Sequence, residues 1–469
     1  TKVSTDQHLE KTIWQLLGEV DLRSIIMDVP FTYPLRPLNG WMITGYGTPR
    51  KEETTFTYPP NLSDLLPKEL RPEVRVALPS HNFDRSPEFI QEWGEIMVGR
   101  KKLFHHLITN QDWDLFMAVF SITDNMAHVF WTFVDPNHPN YNRSGARQYR
   151  EAFFEAYEMC DMLLGEMMDM AGAETTTFVI SDHGFGSVRP RQYVFQRLME
   201  GGFLHAKSPH GFSIFGDRLM KIALNTYKNF PILREWVKDL RPEGRRKIKQ
   251  RLRQGGLLPS GESIDYSRSK IIPTNFGLRM WINDRERFSQ GNIQPTDIDL
   301  ILDEVSAYLE ADVDPVNGLP IISNTYRGKE IYHGPYSHKG PDLIIEYNNF
   351  FCLDEESNLT NPFTEGGHTQ KGIFLVSGPE IGAGRIDGMS LIDLAPTILY
   401  LFNQPIPPDM DGHVLGEIFK IEHICSHPIN YGNRPAQYAP GERPEAISGA
   451  MTSEEETDLH EQLRQLGYI

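Results

Sequence analysis

The chain has 469 residues, 39% hydrophobic and 23% charged, with 38 Gly and 33 Pro; these are the proportions of a folded globular protein, and they exclude disordered, collagen-like and disulfide-stapled chains. Asp and Glu (63) outnumber Lys and Arg (46), leaving a net charge of −17, which is unsuited to following a nucleic-acid backbone. Cys160, Cys352 and Cys425 are scattered and form no CxxC pair, so any metal must be held by His, Asp and Glu rather than thiolates.

The length corresponds to about three domain-sized units. No apolar run approaches the roughly 18 residues that a bilayer crossing requires. No basic-then-apolar leader follows Thr1, and the expected location is cytoplasmic. A helix is expected over Gln7–Leu17. Short β-branched or apolar runs then predict buried strands at Arg23–Val29, Trp41–Gly45, Val74–Leu78, Leu115–Ile122 and Thr175–Ser181. The clearest helix is Gly145–Ala171, where Phe153, Tyr157, Cys160, Leu164 and Met167 form one apolar stripe and Gly172 supplies the stop.

From about residue 191 to 338 the strand–helix rhythm breaks. This stretch holds Gly201-Gly202, Gly255-Gly256, a strand at Phe276–Ile282 and a basic run, Arg241–Arg253, read as a solvated helix face. The rhythm returns with strands at Asp342–Tyr347 and Gly372–Ser377 and a helix over Leu391–Phe402. A last helix within Met451–Ile469 docks through Leu463, Leu466 and Ile469. The expected fold is α/β: a mostly parallel, doubly wound sheet with helices on both faces, plus an inserted cap. Residues 1–190 and 339–420 would form the two parts of the core, 191–338 the insertion, and 421–469 a tail.

Sites in open α/β sheets are built beyond the carboxyl ends of the strands, and ligand-type residues gather there. After Leu115–Ile122 come Asp124 and His128, four apart and therefore on one face if the chain turns helical. After Thr175–Ser181 come Asp182 and His183, followed by glycines suited to a sharp turn. Gly366-Gly367-His368 precedes the strand Gly372–Ser377. Singly, a strand-end Asp caps a helix, Asp-His-Gly makes a turn and His368 is a loop histidine. Together they are a two-Asp, three-His set suited to zinc-type ions.

TDNMAH (Thr123–His128), SDHGFG (Ser181–Gly186) and GGHTQKGIFLVSGPEI (Gly366–Ile381) resemble the metal-binding motifs of the alkaline phosphatase superfamily, in its type I phosphodiesterase/nucleotide pyrophosphatase branch. SLIDLAPTILYLF (Ser390–Phe402), DMDG (Asp409–Gly412), VPFTYP (Val29–Pro34) and GPD (Gly340–Asp342) add to the resemblance, which runs over Arg23–Val188 and Gly340–Phe419. It implies a phosphoric ester hydrolase acting on a small phosphate ester through two divalent ions, zinc or manganese in its place. Asp124, His128 and His368 would hold one ion, and Asp182 and His183 the other.

In the family a Thr or Ser nucleophile and a further Asp come from a first strand–loop–helix. No stretch here matches that region, so the expectation is that it lies upstream of Thr1. Thr44 and Thr48 are the weaker alternatives. His333 and His338, Lys339 and Lys371, His105-His106, and Trp131 with Phe133 are secondary candidates, each more ordinary as a hinge, surface or core residue. Two relatives compete: a sulfatase, which needs a CxPxR-like context absent here, and a phosphoglycerate mutase, whose insertion has no match in 191–338. The reading from another class is a non-catalytic binding protein that keeps the fold.

Overall fold

In a computed structural model of the chain, which describes residues 10–49, 54–76, 87–136, 141, 146–187, 193–205, 264–273, 279–313, 318–333, 337–348, 366–433, 435–438, 445–447, 452 and 455, two compact units are distinguished. One comprises Thr1–Val188 with Glu356–Ile469, the other Arg189–Glu355. The expected basic helix at 241–253, the C-terminal helix at 456–469 and Cys352 lie outside the described residues, as do residues 7–9 of the first expected helix.

The first unit is organised around β1 (Ser24–Val29, SIIMDV). It pairs in parallel with β2 (Gly40–Thr44) on one side and β4 (Leu115–Ala118) on the other, while β3 (Thr57–Tyr58) adds an antiparallel edge to β2. Strand side chains alternate between faces. Ile25 and Met27 therefore join a core with Phe89, Trp93, Phe104 and Phe130, while Ile26 enters a second cluster with Leu35, Leu38 and Met42 on the opposite face. Each of those fully buried large side chains contributes roughly 1.5–3 kcal/mol.

The helices over the first face are α3 (Pro87–Asn110), α4 (Ile122–Val134) and α5 (Ala146–Ala171). Gly172 ends α5 at φ 84°, a left-handed conformation that costs glycine little. Elsewhere in the unit, α1 (Ile13–Gly18) and α9 (Leu394–Leu401) share a third cluster with Leu115 and Phe178; α2 (Leu62–Leu65) and, in the second unit, α8 (Gly328–Ile331) are single-turn helices. Two antiparallel pairs complete it: β5 (Thr177–Ile180) with β12 (Phe374–Ser377), and β6 (Gly184–Ser187) with β11 (Gly366–Thr369). The architecture is mixed α/β with a parallel β2–β1–β4 centre and antiparallel additions.

At the end of β1 the backbone of Asp28 is left-handed (φ 59°), a conformation that Asp tolerates better than branched residues. Its buried carboxylate is gripped by Arg100 of α3, with Nε 2.6 Å from Oδ2 and Nη2 2.9 Å from Oδ1. The same guanidinium donates to the carbonyls of Glu73 and Arg75. That grip explains why residues 74–76 form no strand although Val74–Leu78 reads as one: the segment leaves a 3-10 turn (Lys68–Glu73) with its carbonyls turned to Arg100.

The second unit carries an antiparallel sheet of β7 (Ile271–Pro273), β8 (Arg279–Ile282), β10 (Leu343–Tyr347) and β9 (Ile322–Arg327), in that order. One face is sealed by α6 (Tyr193–Glu200) and α7 (Ile298–Glu310) through Leu198, Val305 and Leu309. The strand expected at 342–347 is thus present but belongs to this antiparallel sheet, not to the parallel core. Its alternation of buried Leu343 and Ile345 with half-buried Ile344 and Glu346 is that of a sheet covered on one face.

Candidate functional site

The site begins where β4 ends. The apolar run expected to continue as strand to Ile122 stops at Ala118, and α4 starts at Ile122. A helix places residues four apart on one face, so Asp124 and His128 project together. On the neighbouring pair, β5 is followed by Asp182 and His183. Gly184–Ser187 then runs as strand rather than the sharp turn its glycines suggest. Its partner is Gly366–Thr369, also a strand rather than a loop, with His368 opposite Phe185.

The glycines serve close approach: a Cβ on Gly184 would stand 2.1 Å from the Lys371 carbonyl oxygen, and one on Gly366 would stand 2.4 Å from the Phe185 ring and 2.5 Å from Trp131 Cβ. Both distances are far inside van der Waals contact.

This ribbon brings His368 to α4. His128 Nε2 and His368 Nε2 are 2.9 Å apart; Asp124 Oδ1 lies 3.2 Å from the second nitrogen and 3.5 Å from the first. His183 Nε2 stands 3.7 Å from the same oxygen and 3.6 Å from Asp182 Oδ1. The His183 and His368 rings stack at 3.7 Å. His183 Nδ1 is 3.0 Å from the Gly184 carbonyl; donating its proton there leaves the Nε2 lone pair facing the carboxylates. Burial pushes the Asp124 carboxyl up, but its attraction to His128 and then to His368 outweighs it and holds the group well below the ordinary carboxylate range.

Asp124 Oδ1 is buried and closes no well-formed hydrogen bond, which is costly for a charged oxygen. A divalent ion held there would resolve that cost. Donors about 2.0–2.1 Å from a tetrahedral zinc-type ion are spaced about 3.4 Å apart, and the 2.9, 3.2 and 3.5 Å edges of the triangle match that spacing. Asp124, His128 and His368 form the metal-competent group among the described residues. Asp182 stands outside it, its side chain 70% exposed.

The other candidates separate cleanly. Thr44 and Thr48 are fully buried. The Thr48 hydroxyl lies 2.6 Å from the Gly45 carbonyl and 2.9 Å from Thr44 Oγ1, while Thr44 Oγ1 lies 3.2 Å from the Phe56 carbonyl. His105 and His106 lie inside α3, in the chain before β4 and so at the amino end of that strand, with His105 paired to Glu166 at 2.8 Å. His333, His338 and Lys339 are exposed residues of the second unit, and Lys371 is exposed in the first. Phe133 is core, whereas Trp131 is half-buried against Phe185 at 5.3 Å.

Phe185 itself was missed. Its ring meets His128 edge-on at 4.8 Å and His368 at 5.7 Å, forming the apolar floor of the cluster. The signal was the single large side chain between Gly184 and Gly186.

The protein is thus of the α/β class, with a thiolate-free His and Asp cluster beyond its strand ends that could hold a divalent ion. The family profile described as type I phosphodiesterase / nucleotide pyrophosphatase matches residues 8–368, a span that holds Asp124, His128, Asp182 and His183 and ends on His368. The chain belongs to that family. No curated protein sequence matches it. Human ectonucleotide pyrophosphatase / phosphodiesterase 5 is similar in structure over 88% of this chain and 74% of that one, at 11% identity and a TM-score of 0.36, a fit too loose to add to the family assignment. No helix among the described residues is long and apolar enough to cross a membrane.

Proposed function

We propose that the protein is a divalent-metal-dependent hydrolase of small phosphate esters, with Asp124, His128 and His368 holding one zinc-type ion and His183, with Asp182, turned toward a second. The observation that carries this reading is the triangle of donors around the orphaned, buried Oδ1 of Asp124. A divalent ion held there supplies Lewis-acid neutralisation of charge on a phosphoryl oxygen. The residues of the chain prepare the place for it. Asp124 stays ionised and contributes the negative charge. His128 and His368, with their Nε2 atoms 2.9 Å apart, would direct nitrogen lone pairs to the ion. Phe185 excludes water from beneath them.

In the scheme the family resemblance implies, the attacking group is a Thr or Ser hydroxyl. Neither Thr44 nor Thr48 suits the role, because their hydroxyls are buried in bonds to each other and to backbone carbonyls.

Calorimetric titration of the metal-stripped chain with zinc tests the reading. One tight site is expected, lost in His128→Ala and His368→Ala and retained in Asp182→Asn. Hydrolysis of bis-p-nitrophenyl phosphate and p-nitrophenyl phosphate, with p-nitrophenyl sulfate as the sulfatase control, then sorts the ester. Zinc uptake indifferent to His128 and His368 would refute the assignment.

A further inference from the structure

The parallel strands of the first unit have a second end. Asp124 and the histidines around it gather beyond the carboxyl end of β4. At the amino ends of β1, β2 and β4 lies an open cleft of about 310 Å³, lined by Arg23, Asn39, Trp41, Asn110, Gln111 and Asp112. Arg23 immediately precedes β1, Asn39 and Trp41 straddle the start of β2, and Asn110 ends α3. The volume is at the low end of the range for small-molecule sites. The four residues of β4 alone span about 13 Å, so this cleft is separate from the Asp124–His128–His368 cluster.

Its lining is polar without surplus charge. Arg23 Nη1 lies 2.6 Å from Asp112 Oδ2, so the cation and the carboxylate of the cleft neutralise each other. Two amides are fixed by the backbone: Asn39 Nδ2 donates to the Leu22 carbonyl at 3.2 Å, and Asn110 Nδ2 to the His106 carbonyl at 2.9 Å. An amide nitrogen donates and its oxygen accepts, so both groups are oriented with Oδ1 left to accept. Among the described residues neither oxygen has a donor. Asp112 Oδ1 adds a further acceptor, and the Gln111 amide is uncommitted. Trp41 packs against the first apolar core and supplies the aromatic wall.

An occupant must therefore bring several donors and no net charge. A phosphate or carboxylate brings acceptors to face acceptors, and an ammonium would lie beside the Arg23 guanidinium. A polyhydroxyl compound meets both conditions, because each hydroxyl donates as well as accepts. The C–H face of a sugar ring also suits the negative face of an indole. We propose that this cleft binds a neutral sugar unit, with Asn39, Asn110 and Asp112 accepting from its hydroxyls and Trp41 against its C–H face. This goes beyond the metal-hydrolase reading and does not depend on it.

Calorimetry and saturation-transfer NMR on the full, metal-stripped chain test the proposal. The probes are methyl glucoside, methyl mannoside and methyl galactoside, with inorganic phosphate, methylammonium and adenine as controls. At least one glycoside should bind with a Kd of about 1–10 mM, the strength of a few hydrogen bonds and one stacked ring, and more tightly than any control. Asn110→Ala should weaken it about fivefold, the worth of one hydrogen bond. Trp41→Leu should weaken it at least as much, and Trp41→Phe less. Asn110 is exposed, so its variant decides the matter even if Trp41→Leu does not fold. Loading with zinc should leave the glycoside affinity unchanged.

No glycoside binding, tighter binding of adenine or of either ion, or binding indifferent to Asn110→Ala would overturn the sugar site while leaving the zinc titration as it stands. Glycoside affinity that changes with zinc loading would place the sugar at the cluster and overturn it too.

Discussion

Replacing Arg100 by Met puts a number on the buried pair at the end of β1. Arg100 and Asp28 have side chains only 4% and 3% exposed. The guanidinium makes two hydrogen bonds to the carboxylate and two more to the Glu73 and Arg75 carbonyls. Removing one partner of such a pair leaves a charge in the interior without compensation, a loss of about 3–5 kcal/mol. A folded domain is worth about 5–15 kcal/mol in total, so the variant should unfold at much lower denaturant.

Asp28→Asn keeps a side chain that tolerates the left-handed backbone. In the double variant no charge remains to be stranded, and the two losses should fall short of additivity by about 0.5–3 kcal/mol. Urea unfolding followed by far-UV circular dichroism and by tryptophan fluorescence measures both quantities, with the transitions of the two units treated separately. A loss below about 1 kcal/mol in Arg100→Met, or strict additivity in the cycle, would refute the reasoning.

Three other expectations follow from the site and its surroundings. Zinc affinity should fall steadily on acidification, because imidazole nitrogens bind metal only when deprotonated; calorimetry in mildly acidic buffers of differing ionisation enthalpy should register proton release, and its absence would contradict imidazole ligation by His128 and His368. Gly184→Ala should lower the unfolding midpoint by the equivalent of about 1–3 kcal/mol and weaken zinc binding, since the new Cβ would collide with the Lys371 carbonyl oxygen 2.1 Å away; an unchanged thermal midpoint would show that the ribbon yields freely. His423, stacked on Phe419 and beside His427, has its pKa lowered from 6.5 by burial first and then by His427, with Glu380 partly opposing. The unfolded chain therefore takes up this proton at higher pH than the folded one, so stability is level above pH 6.5 and declines as pH falls below it; His423→Phe should flatten that decline in pH-dependent melts.

Much of the site was readable because its ligands follow strand ends and helical spacing. Asp124 and His128 needed only the inference that a helix begins near Ile122. The parallel run β2–β1–β4 was visible as short, uniformly apolar segments. What stayed hidden depended on pairing across long separations. Nothing local says that Gly184–Ser187 and Gly366–Thr369 form a ribbon, since their glycines are equally at home in turns; the tight backbone approach that requires them exists only in the folded chain. Asp182, adjacent to His183, stays largely exposed and outside the donor triangle, a difference that nothing in the dipeptide itself announces. Arg100 and Asp28 escaped notice because charged types are expected at the surface. The strand at 343–347 was found but misassigned, because a run of three or four apolar residues does not announce which sheet it will join.

The β6–β11 ribbon also sets a timetable. His128 and His368 are 240 residues apart, so at ordinary synthesis rates of 5–20 residues per second the ribosome delivers the third donor about 10–50 s after the second. Until then the nascent polypeptide offers a cation only Asp124 and His128, joined partway through by the Asp182–His183 dipeptide, an incomplete set from which ions escape readily. If the cluster holds zinc as proposed, metal capture would be a late event in biogenesis, gated by the zipping of two glycine-bearing strands, and cells short of zinc would accumulate a chain whose fold is finished before its chemistry begins.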